Sequence, residues 1–247
     1  MVRKRIIPVL LLNEGGLYKT VEFKKASYVG DPINTVKIFN EKEVDELVIL
    51  DFQASKQGRG IDFAKITEIA GEAFMPMAYG GGIKTFEDAK KVIDAGFEKV
   101  VLNSILFSEP LLARKIADVY GEQSVIGAMD VKKNLFGKYG VYSHSGTVKT
   151  GETPVEWAKK LAELGAGEIV VNSIDKDGTW SGYDEGLIRQ VSSAVGVPVI
   201  ACGGAGSLED LKKGIQAGAS AVAAGSLFIY QKKGMGVLIS FPSTLRV

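Results

Sequence analysis

The stretch GGIKTFEDAKKVIDAGFEKVVLNS, beginning at Gly81, returns without a gap as GGAGSLEDLKKGIQAGASAVAAGS, beginning at Gly203. The offset of 122 positions pairs Glu87-Asp88 with Glu209-Asp210, Gly96 with Gly218, Ser104 with Ser226, and also Glu46 with Glu168. In a chain of 247 residues this is a repeat of half the length, so the fold must be one that two similar halves can build together. Short apolar runs recur throughout: RIIPVLLL (5–12), ELVILD (46–51), FMPMAY (74–79), KVVLN (99–103), SVIGAMD (124–130), EIVVNS (168–173), PVIA (198–201) and AVAAG (221–225). Each is nearly continuous in apolar residues, the mark of a parallel strand buried on both faces. Between them lie amphipathic patterns such as FEDAKKVIDAGF, PLLARKIADVYG and VEWAKKLAELGAG. The third opens on Thr153-Pro154-Val155-Glu156, a capping-box sequence with proline at the first helical position, and closes on Gly165. Eight strands alternating with helices predict an α/β fold, a (β/α)8 TIM barrel built from two similar half-barrels. An open doubly wound sheet would more often carry five or six strands.

No linker, low-complexity stretch or break in composition divides the chain, so residues 1–247 are expected to form a single barrel domain, and the final FPSTLRV is too short for another. A net charge of +1 gives no electrostatic reason to bind nucleic acid or an anionic membrane. No apolar run is long enough to span a bilayer. The basic start Met1-Val2-Arg3-Lys4-Arg5 is followed by a short apolar stretch without a small-residue cleavage site, which argues against a signal peptide. The single cysteine excludes an internal disulfide and fits a reducing compartment, so a cytoplasmic location is expected.

Chemistry on such a barrel belongs at the C-terminal strand ends. Two of these ends are glycine-rich: Tyr79-Gly80-Gly81-Gly82 and Cys202-Gly203-Gly204-Ala205-Gly206. Glycine lets backbone N–H groups approach an anion, and the short helix expected to follow supplies a positive N-terminus. Asn103-Ser104 and Gly225-Ser226 on the neighbouring strands add donors suited to phosphate oxygens. Two such cradles predict a ligand with phosphate at both ends. The carboxylates near strand ends are Asp51, Asp130, Asp175 and Asp177. Asp130 ends a buried strand and is the acid/base candidate, whereas Asp51 could equally bond neighbouring loop backbone. His144 falls in GVYSHSGTVKTG, a polar hairpin pattern, and Cys202 reads as packing before a glycine turn. No cysteine and histidine cluster has metal spacing, and neither GxGxxG nor GxxxxGK[ST] occurs, so neither a metal nor a cofactor is expected. The first strand is the odd one: where its neighbours end on Asp51, Asn103 or Asp130, it ends on Leu10-Leu11-Leu12.

Taken together, RIIP, DELVILD, YGGGI, EKVVLNS, GAGEIVVNSIDKDGT, PVIACGGAG and AAGSLF resemble the synthase (cyclase) subunit of imidazole glycerol phosphate synthase, from residue 3 to about 230. The resemblance implies a barrel that receives ammonia from a glutaminase docked on its N-terminal face and closes an imidazole ring on a bis-phosphorylated intermediate. It implies an aspartate pair on strands 1 and 5, of which Asp130 is present and the other is replaced by Leu11; a threonine near the end of strand 6 is replaced by Asn172. It assigns substrate binding to Asp51, Asp177, Gly178 and the cradle residues, with Lys19 in the loop after strand 1 a further anion contact. It places a ring of charges guarding the ammonia inlet at Arg5, Glu46, Lys99 and Glu168, and the glutaminase contact at Glu98 and Gln123. Without the resemblance those four charges would pass as surface salt bridges. VLLLNEGGLYKTVEFKKASYVGDPINTVKIFNEKEVDEL, YGGGIKT and AAGSLFIYQKKGMGVLISFP are more similar to an offshoot of that family, the barrel subunits of acetamidino-sugar modification systems. There a glutaminase and a barrel are thought to supply ammonia to a separate ATP-dependent amidotransferase acting on a nucleotide-activated sugar, in surface-polysaccharide biosynthesis. The alternatives are a cyclase of histidine biosynthesis working with one aspartate, and a non-catalytic barrel that binds a nucleotide sugar and signals to its partners.

Overall fold

A computed structural model of the chain describes residues 4–242. Met1–Arg3 of the basic start and the last five residues of FPSTLRV lie outside the described residues. Eight parallel strands close on themselves: β1 (Arg5–Asn13), β2 (Leu47–Asp51), β3 (Met77–Gly80), β4 (Lys99–Leu102), β5 (Val125–Lys133), β6 (Glu168–Ser173), β7 (Val199–Cys202) and β8 (Ala221–Ala224). Each pairs with the next, and β8 returns to β1 with Arg5 opposite Ala221 and Pro8 opposite Ala224. The fold is the (β/α)8 barrel that the spacing of apolar runs predicts.

Among the described residues, seven helices of eight residues or more lie outside the barrel: α1 (Pro32–Glu41), α2 (Phe63–Gly71), α3 (Phe86–Asp94), α4 (Leu111–Tyr120), α5 (Pro154–Glu163), α6 (Glu185–Ser192) and α7 (Leu208–Gln216). The 122-residue offset governs their starts as well. Asp31 and Thr153 cap α1 and α5, each before a proline; Asp62 and Asp184 cap α2 and α6; Thr85 and Ser207 cap α3 and α7. The full reciprocal capping box occurs at Thr85 and Asp88, whereas at Thr153 the side chain accepts only from Glu156 N–H.

Apolar side chains fill two separate layers. Helix residues such as Phe39, Ile66, Val92, Ile116, Trp157 and Leu187 pack on the outside of the sheet. Inside the barrel, Ile7, Val48, Ala78, Ile126, Ile200 and Ala221 form a plug with almost no exposure. This two-sided burial is why the strands read as unbroken apolar runs.

Three departures from the sequence reading have physical causes. The third strand begins at Met77, not Phe74, which is 90% exposed in the loop after α2. Pro76 has no N–H to give a ladder and marks the strand's start. Two antiparallel arms, Gly16–Val21 with Lys24–Gly30 and Tyr139–Ser143 with Val148–Lys149, extend β1 and β5 past the rim. The second is the polar hairpin expected around His144. Finally, β8 is followed among the described residues by only a four-residue helix, Ser226–Ile229, and an irregular segment whose Phe241 packs on Phe228 with rings 5.1 Å apart.

Candidate active site and inlet

The strand ends open into a cavity of about 210 Å³, many times the roughly 10–15 Å³ that one water-sized molecule needs. Its polar side is built by three adjacent strands. Asn103 Nδ2 donates to Asp130 Oδ2 at 2.9 Å, and Asn172 Nδ2 donates to Asp130 Oδ1 at 3.2 Å. Burial nonetheless pushes the Asp130 carboxyl up to about 6, against the lowering effect of both amides. The Oδ1 atoms of Asn103 and Asn172 are buried and accept from no protein donor. The opposite wall, from β1 and β2, is apolar: Val9, Leu11, Val48 and Leu50. Leu11 lies in register with Leu50 and puts no titratable group across from Asp130.

The other acids have partners of their own. Asp51 lines the cavity but accepts from Gln53 N–H, Ala54 N–H and both terminal nitrogens of Arg59, whose Nη2 also donates to Asn13. Of the two readings left open for Asp51, bonding to its own loop accounts for its oxygens. Arg59 had escaped the sequence reading, because nothing eight residues downstream in a polar loop signals its return to β2. Asp175 accepts from Lys133 N–H at 2.8 Å, outside the cavity lining. Asp177 lines the cavity, accepts from Thr20 Oγ1 at 3.0 Å, and is raised by burial despite Lys19 and Thr20.

Gly81, Gly82, Gly203 and Gly204 all border the cavity. At Gly81 (φ 104°) a Cβ would meet Asp51 O at 2.2 Å, and at Gly204 (φ 108°) it would meet Gly182 O at 2.2 Å, so both turns require glycine for chain packing alone. The helices that follow these turns are not short: α3 and α7 run nine residues each, and their first turns are capped by Thr85 with Asp88 and by Ser207 with Asp210. The short helices Ser104–Phe107 and Ser226–Ile229 begin without a side-chain cap, at Asn103-Ser104 and Gly225-Ser226 on the rim.

The arm Gly16–Val21 crosses the mouth. Glu22 N–H donates to Asp177 O at 2.9 Å, Phe23 packs beside Gly146, and Gly178 lies under Thr20. Lys19 is 6% exposed and its ammonium stands over Gly225. His144 is exposed, as a loop residue should be, but its N–H donates to Ser104 Oγ at 2.8 Å. Burial pushes the Cys202 thiol up to about 12, which keeps it protonated. Among the described residues, no three histidine, cysteine or acidic side chains are grouped to hold a metal ion, and no helix is long and apolar enough to cross a membrane.

At the other end of the barrel, Arg5, Glu46, Lys99 and Glu168 form a closed ring. Arg5 bonds Glu46 through Nη1 and lies 3.0 Å from Glu168 Oε2 through Nη2; that second contact lacks hydrogen-bond geometry. Lys99 Nζ bridges Glu46 at 3.0 Å and Glu168 at 3.1 Å. Glu46 is 2% exposed, so these are not the surface salt bridges that the residue types alone suggested. Glu98 and Gln123 stand exposed just before β4 and β5 at the same end, and Gln123 Nε2 donates to Tyr120 O.

Comparison with known proteins adds names to this geometry. The family described as "Histidine biosynthesis protein" matches residues 5–234. Over 243 residues, covering 98% of this chain and 97% of the relative, the chain is 52% identical to the Pseudomonas aeruginosa protein named "Putative imidazole glycerol phosphate synthase subunit hisF2". It is 47% identical to the similarly named hisF3 protein of Vibrio vulnificus, covering 98% of this chain and 94% of that one. It is 44% identical to the imidazole glycerol phosphate synthase subunit HisF of Exiguobacterium sibiricum, covering 92% and 91%.

Proposed function

This chain belongs to the histidine biosynthesis protein family, as a HisF-like barrel, and on that premise we propose that it conducts ammonia from a glutaminase subunit on its N-terminal face to a separate enzyme. That enzyme is an ATP-dependent amidotransferase, and the reaction converts an N-acetyl group of a nucleotide-activated sugar to an acetamidino group in surface-polysaccharide biosynthesis in the cytoplasm. The observation that carries this reading is an intact charged ring at the inlet combined with Leu11 at the mouth. Ring closure needs proton transfers on both sides of the reacting atoms, and leucine transfers none.

The interior discriminates between the charged and neutral forms of the nitrogen. The plug of Ile7, Val48, Ala78, Ile126, Ile200 and Ala221 offers no oxygen to solvate an ammonium ion, so only neutral ammonia crosses it. The four-residue ring carries two charges of each sign and so no net charge, while its closed ion pairs hold the inlet shut until the glutaminase docks at Glu98 and Gln123. At the mouth, Asn103, Asp130, Asn172, Asp177 and Lys19, with the rim at Ser104 and Ser226, hold a phosphorylated or nucleotide-sugar ligand.

A second reading, a cyclase of histidine biosynthesis, draws on the two glycine-lined rims and on a cavity much larger than ammonia requires. The test is ring closure on the bis-phosphorylated histidine intermediate with an ammonium salt, which bypasses the glutaminase. We expect no turnover from the natural chain and recovered turnover from Leu11→Asp. An enzyme-like rate without the substitution would establish the second reading instead.

A further inference from the structure

Leu135 and Phe136 are 102% and 88% exposed at the tip of the hairpin that prolongs β5. The stem beneath them is stiff. Lys133 pairs with Tyr139 across the ladder, Tyr139 OH donates to Asp184 Oδ1 at 2.7 Å, and Lys133 Nζ lies 3.0 Å from Asp184 Oδ2. The turn is knotted by Asn134, whose Oδ1 accepts from Phe136 N–H and Lys138 N–H at 2.9 Å each. Neither apolar side chain contributes to this construction, and two fully exposed large apolar groups on a hydrogen-bonded turn point to a contact made with something else.

Position and charge narrow the occupant. At about 3.3 Å per residue, Leu135 stands roughly 17 Å along the chain from Asp130, beyond the cavity mouth. The returning arm reaches the rim, where His144 N–H bonds Ser104, Ser145 Oγ bonds Phe52 O, and Thr147 lines the cavity. Lys138 at the turn and Lys132 and Lys149 on the arms below it make no ion pair among the described residues, while Asp175 and Asp184 are bonded to Lys133, so the apolar tip carries unpaired positive charge beside it. Two apolar side chains are a slight anchor for a bilayer, and two basic tips would repel each other.

We propose that the Leu135–Phe136 tip seats the ammonia-accepting protein on the C-terminal face, in an apolar socket rimmed by acidic side chains. The proposal rests on the reading that ammonia leaves by the mouth for a separate enzyme.

The test compares the full chain, bound to its glutaminase, with the Leu135→Asp/Phe136→Asp variant and with Lys138→Glu. Affinity for the purified ATP-dependent amidotransferase is read by calorimetry. The expected result is about a tenfold or greater loss for the double variant and a smaller, salt-dependent loss for Lys138→Glu, with glutaminase binding and melting temperature unchanged. Equal affinity of wild type and variants overturns the proposal and leaves the transfer reading standing. It is also overturned if the substitutions instead abolish a dimer seen by sedimentation, or cosedimentation with phosphatidylglycerol vesicles. Failure of the wild type itself to bind the amidotransferase removes the transfer reading, and the proposal with it.

Discussion

Asp130 receives two amide donors and is still pushed up to about 6, because its enclosure costs the charged form more than Asn103 and Asn172 return. The linkage consequence has a definite sign. The folded chain binds this proton more tightly than the unfolded chain, whose carboxyl has the ordinary value of 3.8. The penalty is therefore absent below about pH 4 and grows as pH rises through 6, to about 3 kcal/mol at neutrality. Asp130→Asn removes it. The new amide can donate to Asn172 Oδ1, now unpartnered, if the Asn172 amide turns over. We expect the variant to be about 1–3 kcal/mol more stable than wild type at pH 7.5 and indistinguishable near pH 4, as measured by urea denaturation at both pH values. A constant difference across that range would show that Asp130 is not the titrating group.

Asp62 and Asp184 show how one element acquires two uses. They stand 122 positions apart, and each accepts from the third N–H of its helix: Lys65 at 3.0 Å and Leu187 at 3.1 Å. Asp62 has only the cap, whereas Asp184 also takes Tyr139 OH and Lys133 Nζ from the β5 hairpin. Burial opposes ionisation at Asp184, yet those bonds hold its carboxyl below the ordinary range. That stabilisation is present above the unfolded value and is lost as pH falls through the folded one. Asparagine is an equally good cap. Asp62→Asn should therefore be nearly silent, while Asp184→Asn should cost about 1–2 kcal/mol at pH 7 and progressively less as the pH is lowered below the ordinary carboxylate range, by denaturant titration. The same contrast explains which elements were legible beforehand. Strands buried on both faces and capped helices announce themselves in apolar runs and in Thr, Ser or Asp at fixed offsets. The arm Gly16–Val21 with Lys24–Gly30 does not: its turn places Glu22 and Phe23 at positive φ without a glycine, and its partners across the mouth, Gly146 and Asp177, lie far downstream in the chain. The reach of Arg59 to Asp51 and Asn13 is set by loop conformation alone. Asp130 and Leu11 were visible as a strand end with an acid and a strand end without one, but the inlet ring needed the family resemblance, because charges at strand starts usually face water.

At the scale of the molecule, the barrel has two ends with opposite logic: a proposed inlet whose four charges all stand in ion pairs and a mouth where the buried amide oxygens of Asn103 and Asn172 are unpaired. Lys99 tests the connection. Its ammonium lies between Glu46 and Glu168, which the repeat relates, while Arg5 closes the ring from β1. Lys99→Ala leaves both acids with Arg5 alone. Abandoning a buried charge outright costs about 3–5 kcal/mol; with one partner retained, we expect about 1–3 kcal/mol, which a domain of this size survives. Transport should suffer more than folding. The ring then carries a net negative charge beside a gap, which favours ammonium and water over neutral ammonia at the threshold of an apolar plug. In the complete complex, the fraction of glutamine-derived nitrogen found in the acetamidino product should fall, with the balance released to solution as ammonium. Product formed from an added ammonium salt should remain at the wild-type level, because that nitrogen does not have to pass the ring. A variant that folds, hydrolyses glutamine and keeps the wild-type ratio of product to glutamate would mean that ammonia reaches its acceptor by a route outside the barrel.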